Sequence, residues 1–327
     1  MPSRYETFDT RRLRLEDLGS RQHLVTLKDL LPVGQTDGPF DHPALPVLAD
    51  RIVQARRRGA AVVMMMGAHV IKDGLGLYVI DLIRRRLVDV LAMNGAGCIH
   101  DFELALVGAT SEPVAQYIRT GQFGMWRQTG RINDIVRAAA AEGLGLGEAV
   151  GREIAGGQFP HADASILAAA YEAGVPATVH VGIGNDILHQ HPNFDGAAFG
   201  ACSGRDFLIY ARVIERLEGG VMMLFGSAVM GPEVYLKALS MARNVARQEG
   251  RAIAHFTTAV FDLLAMPDDL SRTPPKTDPA YFYRPLKTVL IRTLADGGEG
   301  FYVRGPHRLT LPALHGKIVA ALKDVNP

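Results

Sequence analysis

The sequence predicts an α/β protein, a doubly wound and mainly parallel sheet with helices on both faces in the Rossmann-like manner. Three observations lead there. Several short runs are apolar throughout, as strands covered on both sides must be. Stretches with apolar residues at helical spacing separate them. The runs end in glycine and other small residues, where sheets of this kind hold their ligands.

Val47, Ile52, Val53 and Ala55 recur at helical spacing over residues 47–58, and AAVVMMMG (60–67) then gives a buried strand. Leu75, Val79, Leu82, Ile83 and Leu87 make the next helix, and VDVLAM (88–93) a second strand. Strand, helix and strand in that order form a right-handed βαβ unit with parallel strands. Helical patterns at 131–141 and 163–174 lead to the strand ATVHVGI (177–183). GVMMLFG (220–226), a helix over 232–248 and AIAHFTT (252–258) repeat the alternation. KTVLIRT (287–293) supplies a further strand, and a helix over 311–323 closes the chain. The Pro-rich MPDDLSRTPPKTDP (266–279) is expected to be a long surface loop, of a length at which loops are often functional. No repeat or low-complexity linker divides the chain, so residues 46–327 form one domain behind an N-terminal extension, residues 1–45.

The 327 residues, 48% hydrophobic and 21% charged, exclude disordered and fibrous classes. A formal net charge of +1 provides no surface of one sign for DNA, RNA or acidic membranes. Arg56 to Arg58 and Arg84 to Arg86 each end an amphipathic helical pattern, where cations complement the helix dipole, and read as solvated helix ends. Cys98 and Cys202 alone cannot build a metal cluster, and the lack of a cysteine framework fits a reducing compartment, so a cytoplasmic location is expected. The first residues lack the apolar core of a secretion signal, and no stretch approaches the roughly 20 apolar residues of a membrane span.

Four strand ends are cleared of bulk: Gly67-Ala68, Asn94 to Gly97, Gly182 to Asp186, and Gly226 to Ala228. Such residues let backbone amides approach phosphates at helix N-termini, which suits a dinucleotide. Ordinary βα turns use glycine as well, and no strict G-x-G-x-x-G is present. His100, Asp101 and Glu103 crowd behind one of these ends; they fit a catalytic pair and equally fit capping of the next helix. VHVGIGNDILHQHP (179–192) gathers His180, Asp186, His189 and His191, which could bind a divalent metal in a hydrolase or lyase, although His180 also reads as a core residue of its strand. Cys98 reads as a buried inert thiol, and the absence of G-x-S-x-G argues against a serine hydrolase.

MGAHVIKDGLGLYVIDLI (66–83) running into VDVLAMNGAGCIHDFE (88–103), with VGIGND (181–186), LFGSAVM (224–230) and HFTTA (255–259), resembles the deoxyhypusine synthase family. The resemblance implies an NAD-dependent homotetramer of Rossmann-like fold. Such enzymes oxidise spermidine, cleave it and transfer its aminobutyl group to a protein lysine, or to putrescine. By the same resemblance the NAD contacts fall on Ala68, His69, Val70, Ile71 and Lys72, on Asn94, Gly95 and Ala96, on His100 where the family has glutamate, on Gly226 and Ser227, on Thr257 and Thr258, and on Asp296 and Gly297. The amine-binding aspartate falls on Asp186, as charge pairing with an ammonium would also suggest. Two departures stand out. Met230 to Glu233 occupies the place of the family's active-site histidine, and Pro285 that of its catalytic lysine. Lys287, two residues on, is the remaining candidate for carrying the fragment as an imine, with a strand-edge charge as the other reading.

Overall fold

A computed structural model describes residues 3–267, 269–270 and 272–323; Asp268 and Ser271 of the Pro-rich stretch lie outside the described residues. The strands are β1 (Val25–Thr26), β2 (Val62–Met66), β3 (Val90–Asn94), β4 (Ala109–Thr110), β5 (Ala177–His180), β6 (Val221–Phe225), β7 (Thr257–Asp262) and β8 (Glu299–Arg304). Six of them make one parallel sheet in the order β5-β3-β2-β6-β7-β8, and β1 pairs with β4 in a separate antiparallel ribbon. From β2 the chain winds outward through β3 to β5, then crosses back to β6 and winds the other way. The reversal between β2 and β6 opens a crevice at the carboxyl edge, where doubly wound sheets bind ligands.

Alternation along β2 explains its unbroken apolar run. Met64 and Met66 face one helical layer and Met65 the other, and all are buried. The first layer contains α1 (Ala44–Arg58), α2 (His69–Lys72), α3 (Gly76–Arg84) and α4 (Gly95–Val107), joined after the short α5 (Val114–Thr120) by α6 (Arg131–Glu142), α7 (Leu146–Gly156) and α8 (Ile166–Ala173). The end of α9 (Gly196–Ile214) and α10 (Met230–Gln248) cover the opposite face, and α11 (His307–Lys323) returns to the first face to pack on α1. No helix among the described residues is long and apolar enough to cross a membrane.

Two expected strands are misplaced. AIAHFTT is mostly loop, because the Glu218 carboxylate takes the amides of Ala254 and His255 at 2.6 and 3.0 Å and Arg243 takes the Ile253 carbonyl; the strand begins at Thr257. KTVLIRT is helical instead, running through a π-helical turn, Leu286–Ile291, into a 3-10 turn, Arg292–Leu294; Leu286, Val289 and Leu290 pack onto the sheet, while β8 occupies the ladder beside β7. The N-terminal extension is folded onto the body: Leu18 and Leu31 are buried, and Val25 opposes Thr110 across the ribbon.

Candidate functional site

A cleft of about 470 Å3 opens at the crevice between β2, β3 and β6. Of the expected cofactor positions, Ala68, His69, Lys72, Asn94, Ala96, His100, Gly226 and Ser227 line it together. Its glycines do more than admit a ligand. A Cβ on Gly67 would stand 2.2 Å from the Gly226 carbonyl oxygen, so glycine is what lets the ends of β2 and β6 converge. Beyond Gly226, the Ser227 hydroxyl accepts from the Gly231 amide at 3.0 Å and opens α10. The amides of Ser227 to Met230 donate to no group among the described residues, so the positive end of a 19-residue helix is available at the cleft. Trimmed strand ends, open amides and the winding reversal together fit a dinucleotide.

A second cavity of about 440 Å3 shares Lys72, Ala96, His100 and Asn185 with the first, and continues past Asp186 to Ile99, Val114, Phe123 and Ile187. Asn94 caps α4 by accepting the Gly97 amide at 2.9 Å, and Asp186 lies over the same helix end. A Cβ on Gly95 would meet Asp186 Oδ2 at 2.1 Å, so this glycine makes the seat for the carboxylate. Oδ2 is buried and has no hydrogen-bond partner. Burial pushes the Asp186 pKa up to about 6, against the pull of the Ala96 amide.

His100 joins the two cavities. Its Nδ1 is 2.7 Å from the Thr110 hydroxyl, which lies 2.6 Å from Glu103 Oε2. Glu103 is buried and held by Arg21 at 3.0 and 2.6 Å and by the Thr129 hydroxyl at 2.6 Å. Burial alone would raise the Glu103 pKa, but the Arg21 charge and these hydrogen bonds hold it below its ordinary value. Burial drives His100 down to about 4, with Lys72, Arg21 and His69 adding to the effect and Glu103 opposing it. Asp101, the residue expected to pair with His100, points elsewhere: it accepts from Ser165 and from the Ile166 and Leu167 amides, capping α8 rather than its own helix.

Other expected positions are not brought to the cleft. Val70 and Ile71 are core residues whose amides bond Gly67 and Ala68. Thr257 and Thr258 begin β7 instead of ending it, and so stand at the opposite, amino edge; Thr257 and Gly297 line a separate cavity there, beside Asp296. Lys287 starts no strand. It is buried in the π-helical turn with Nζ 3.8 Å from the centre of the Tyr281 ring, and it packs by β7 and β8. Four strand spacings, about 19 Å, separate β7 from β5, which leads to Asp186. The metal reading of His180, Asp186, His189 and His191 fails on geometry. His180 bonds Thr178, His189 Nδ1 accepts amides of its own turn, and His191 bonds the Gly124 carbonyl. Among the described residues no three His, Cys, Asp or Glu side chains could hold a metal ion together. Sequence reasoning missed Glu112 and above all Arg21, a cation far from any motif, while Asn185 lies in the strand end Gly182 to Asp186 that it had singled out.

No family model matches the chain. No curated protein matches it either. Solved structures share its α/β fold. The ternary complex of AgrE with ornithine and NAD+ superposes with a TM-score of 0.52 at 16% identity, covering 85% of this chain and 33% of that one. A mutant of AgrE in complex with L-arginine gives 0.50 at 15% identity, over 87% and 33%. This chain thus spans about a third of the length of those proteins. A structure described as a candidate deoxyhypusine synthase from Entamoeba histolytica reaches 0.39 at 10% identity, over 85% and 87%. What this chain shares with the AgrE structures is the Rossmann-like fold.

Proposed function

We propose that this protein binds NAD across the crevice between β2 and β6 and uses it to oxidise a small aliphatic amine held at Asp186. One observation carries the reading: Asp186, whose Oδ2 is seated by Gly95 without a hydrogen-bond partner, lines a partly apolar cavity that shares Lys72, Ala96, His100 and Asn185 with the dinucleotide cleft. A buried carboxylate with one oxygen unpartnered and no counter-charge calls for a cation, and an ammonium supplies both charge and hydrogen bonds. A pKa of about 6 leaves Asp186 ionised at neutral pH, yet basic enough to take a proton from the bound ammonium. NAD, when bound, would accept hydride from the carbon bearing the amine. The free amides at the start of α10 would hold the cofactor's phosphates, and Ile99, Phe123 and Ile187 would give the methylene chain an apolar wall. The AgrE complex holds ornithine and NAD+, an amine and a dinucleotide of these two chemical classes.

The finer form of the proposal follows the family resemblance: the oxidised polyamine is cleaved, and its aminobutyl group passes to an acceptor amine, a protein lysine or putrescine, in a cytoplasmic homotetramer. Lys287, under Tyr281 and across the sheet, has no part in that step as proposed here.

Incubation with NAD and putrescine, spermidine or ornithine tests both levels, with NADH read by absorbance and products by mass spectrometry. NADH should form with at least one amine, and Asp186→Asn should lower the rate by ~100-fold or more. NADH without any new polyamine would remove the transfer step, and no NADH with any amine would refute amine oxidation itself.

A further inference from the structure

Thr110 decides the protonation state of the imidazole beside it. Glu103 is an ionised carboxylate and can only accept. The single Thr110 hydroxyl proton therefore goes to Glu103 Oε2, at 2.6 Å, and the Thr110 oxygen must accept from His100 Nδ1 at 2.7 Å. His100 consequently carries its proton on Nδ1. Its Nε2 is left as a bare acceptor with no partner among the described residues, on a residue that lines both cavities. A second proton is opposed by burial and by the cations around the ring, so the neutral form persists through the physiological range.

We propose that His100 Nε2 is a second acceptor for the substrate's amine nitrogen, beside Asp186, locked in its acceptor tautomer through Thr110, Glu103 and Arg21. The inference rests on the amine-oxidation reading of the site and adds what the pocket selects for: N–H donors as well as positive charge. An ammonium has three donors; the Asp186 carboxylate and His100 Nε2 take two of them, and after one proton has moved to Asp186 the neutral amine still donates to His100. A quaternary ammonium offers the same charge and no donor.

The lock is completed by the N-terminal segment. Arg21 comes from it, and β1 pairs with the strand that carries Thr110. The groups facing His100 come from every neighbouring element: Glu103 from α4, Lys72 and His69 from α2, Arg21 from the N-terminal segment, Asp186 from the loop after β5 and Glu112 from the segment after β4. Arg21 and Thr110 are positioning residues in this scheme, since neither is assigned a contact with the ligand.

The test uses the full chain without cofactor. Nitrogen-15 NMR of the histidine rings should show His100 protonated at Nδ1 only, and Thr110→Val should mix the two tautomers. Calorimetry should show 1,4-diaminobutane binding at least ~10-fold tighter than its bis(trimethylammonium) analogue. His100→Leu should cut that ratio by ~10-fold, while His100→Gln, which returns an amide oxygen near the Nε2 position, should stay within ~5-fold of the wild type. A proton on Nε2 in the wild type, or an unchanged ratio in His100→Leu, overturns the proposal. If the ratio behaves as expected but no amine reduces NAD, the oxidation reading falls and the recognition role stands. If NADH forms but the wild type does not distinguish the two diamines, the recognition role falls and oxidation stands.

Discussion

Replacing Arg21 by methionine should be among the most damaging single changes to stability in this chain. Arg21 and Glu103 have side chains only 1% exposed, so the variant leaves a carboxylate in the interior with two hydroxyl donors, Thr110 and Thr129, and no counter-charge. Two charge-assisted hydrogen bonds disappear, each contributing about 1.5–3 kcal/mol. Removal of one partner of a buried pair typically destabilises by about 3–5 kcal/mol, because the remaining ion keeps its desolvation cost. The pH dependence has a definite sign. The folded-state pKa of Glu103 lies below the ordinary 4.5, so its contribution is present above that value and is lost as pH falls through the lower folded one. In Arg21→Met the carboxyl pKa rises and the group escapes its cost by taking a proton. The gap between variant and wild type should therefore be widest near neutral pH and shrink in acid. Urea unfolding followed by fluorescence of Trp126, the only tryptophan of the chain and a ring 5.6 Å from the Arg21 guanidinium carbon, reports it directly. A gap under ~1 kcal/mol at neutral pH, or one that widens in acid, would refute the assignment of Glu103 as a buried anion dependent on Arg21.

Gly95→Ala places a methyl group on Asp186 Oδ2 and should weaken amine binding by ~10-fold or more, with an overpacking cost of about 1–3 kcal/mol; unchanged affinity by calorimetry would show that Asp186 is not seated where described. Asp186→Asn should raise the stability of the ligand-free protein by up to about 2 kcal/mol at neutral pH, because a folded pKa of about 6 against an ordinary 3.8 means that ionised Asp186 is a cost above pH 6, one that vanishes below 3.8. Thermal melts in neutral and acid buffer check this, and a variant less stable than wild type at neutral pH would count against it. Ser227→Leu, at the carboxyl edge, should reduce NAD affinity by ~10-fold or more, whereas Asp296→Asn, at the amino edge, should leave it within ~2-fold; equal losses in a fluorescence titration would contradict the placement of the cleft.

The sheet centre was legible because its strands are buried on both faces. β2, β3 and β6 each appear as an unbroken apolar run. β8 escaped because an edge strand needs no such run: EGFYVR is mostly half-exposed. KTVLIRT misled for the opposite reason, its β-branched residues being buried by packing across the sheet face and not by pairing within it. α4 and α9 were obscured by small residues at their starts, GAGC and GAAFGA. In the site, residues next to strand ends were readable from spacing. The resemblance put Thr257 and Thr258 at the cofactor, but they open β7, which starts at Thr257 and not at residue 252. Arg21 could not have been found by any spacing rule, since it meets Glu103 across 82 residues of chain.

The packing of α1 on α11 has a consequence for how the protein is made. During synthesis α1 emerges early, but the helix that covers one flank of it follows only after roughly 250 further residues, some tens of seconds at ribosomal speed. The central ladder has the same delay in milder form, because β2 must wait for β6 before both its edges are paired. Nascent chains of intermediate length therefore carry Leu45, Leu48 and Ile52 with no late helix to shelter them. A chain truncated ahead of α11 keeps every residue that lines the two cavities and lacks only the helix that packs on α1, so a folded site and a sheltered flank are set by different ends of the sequence.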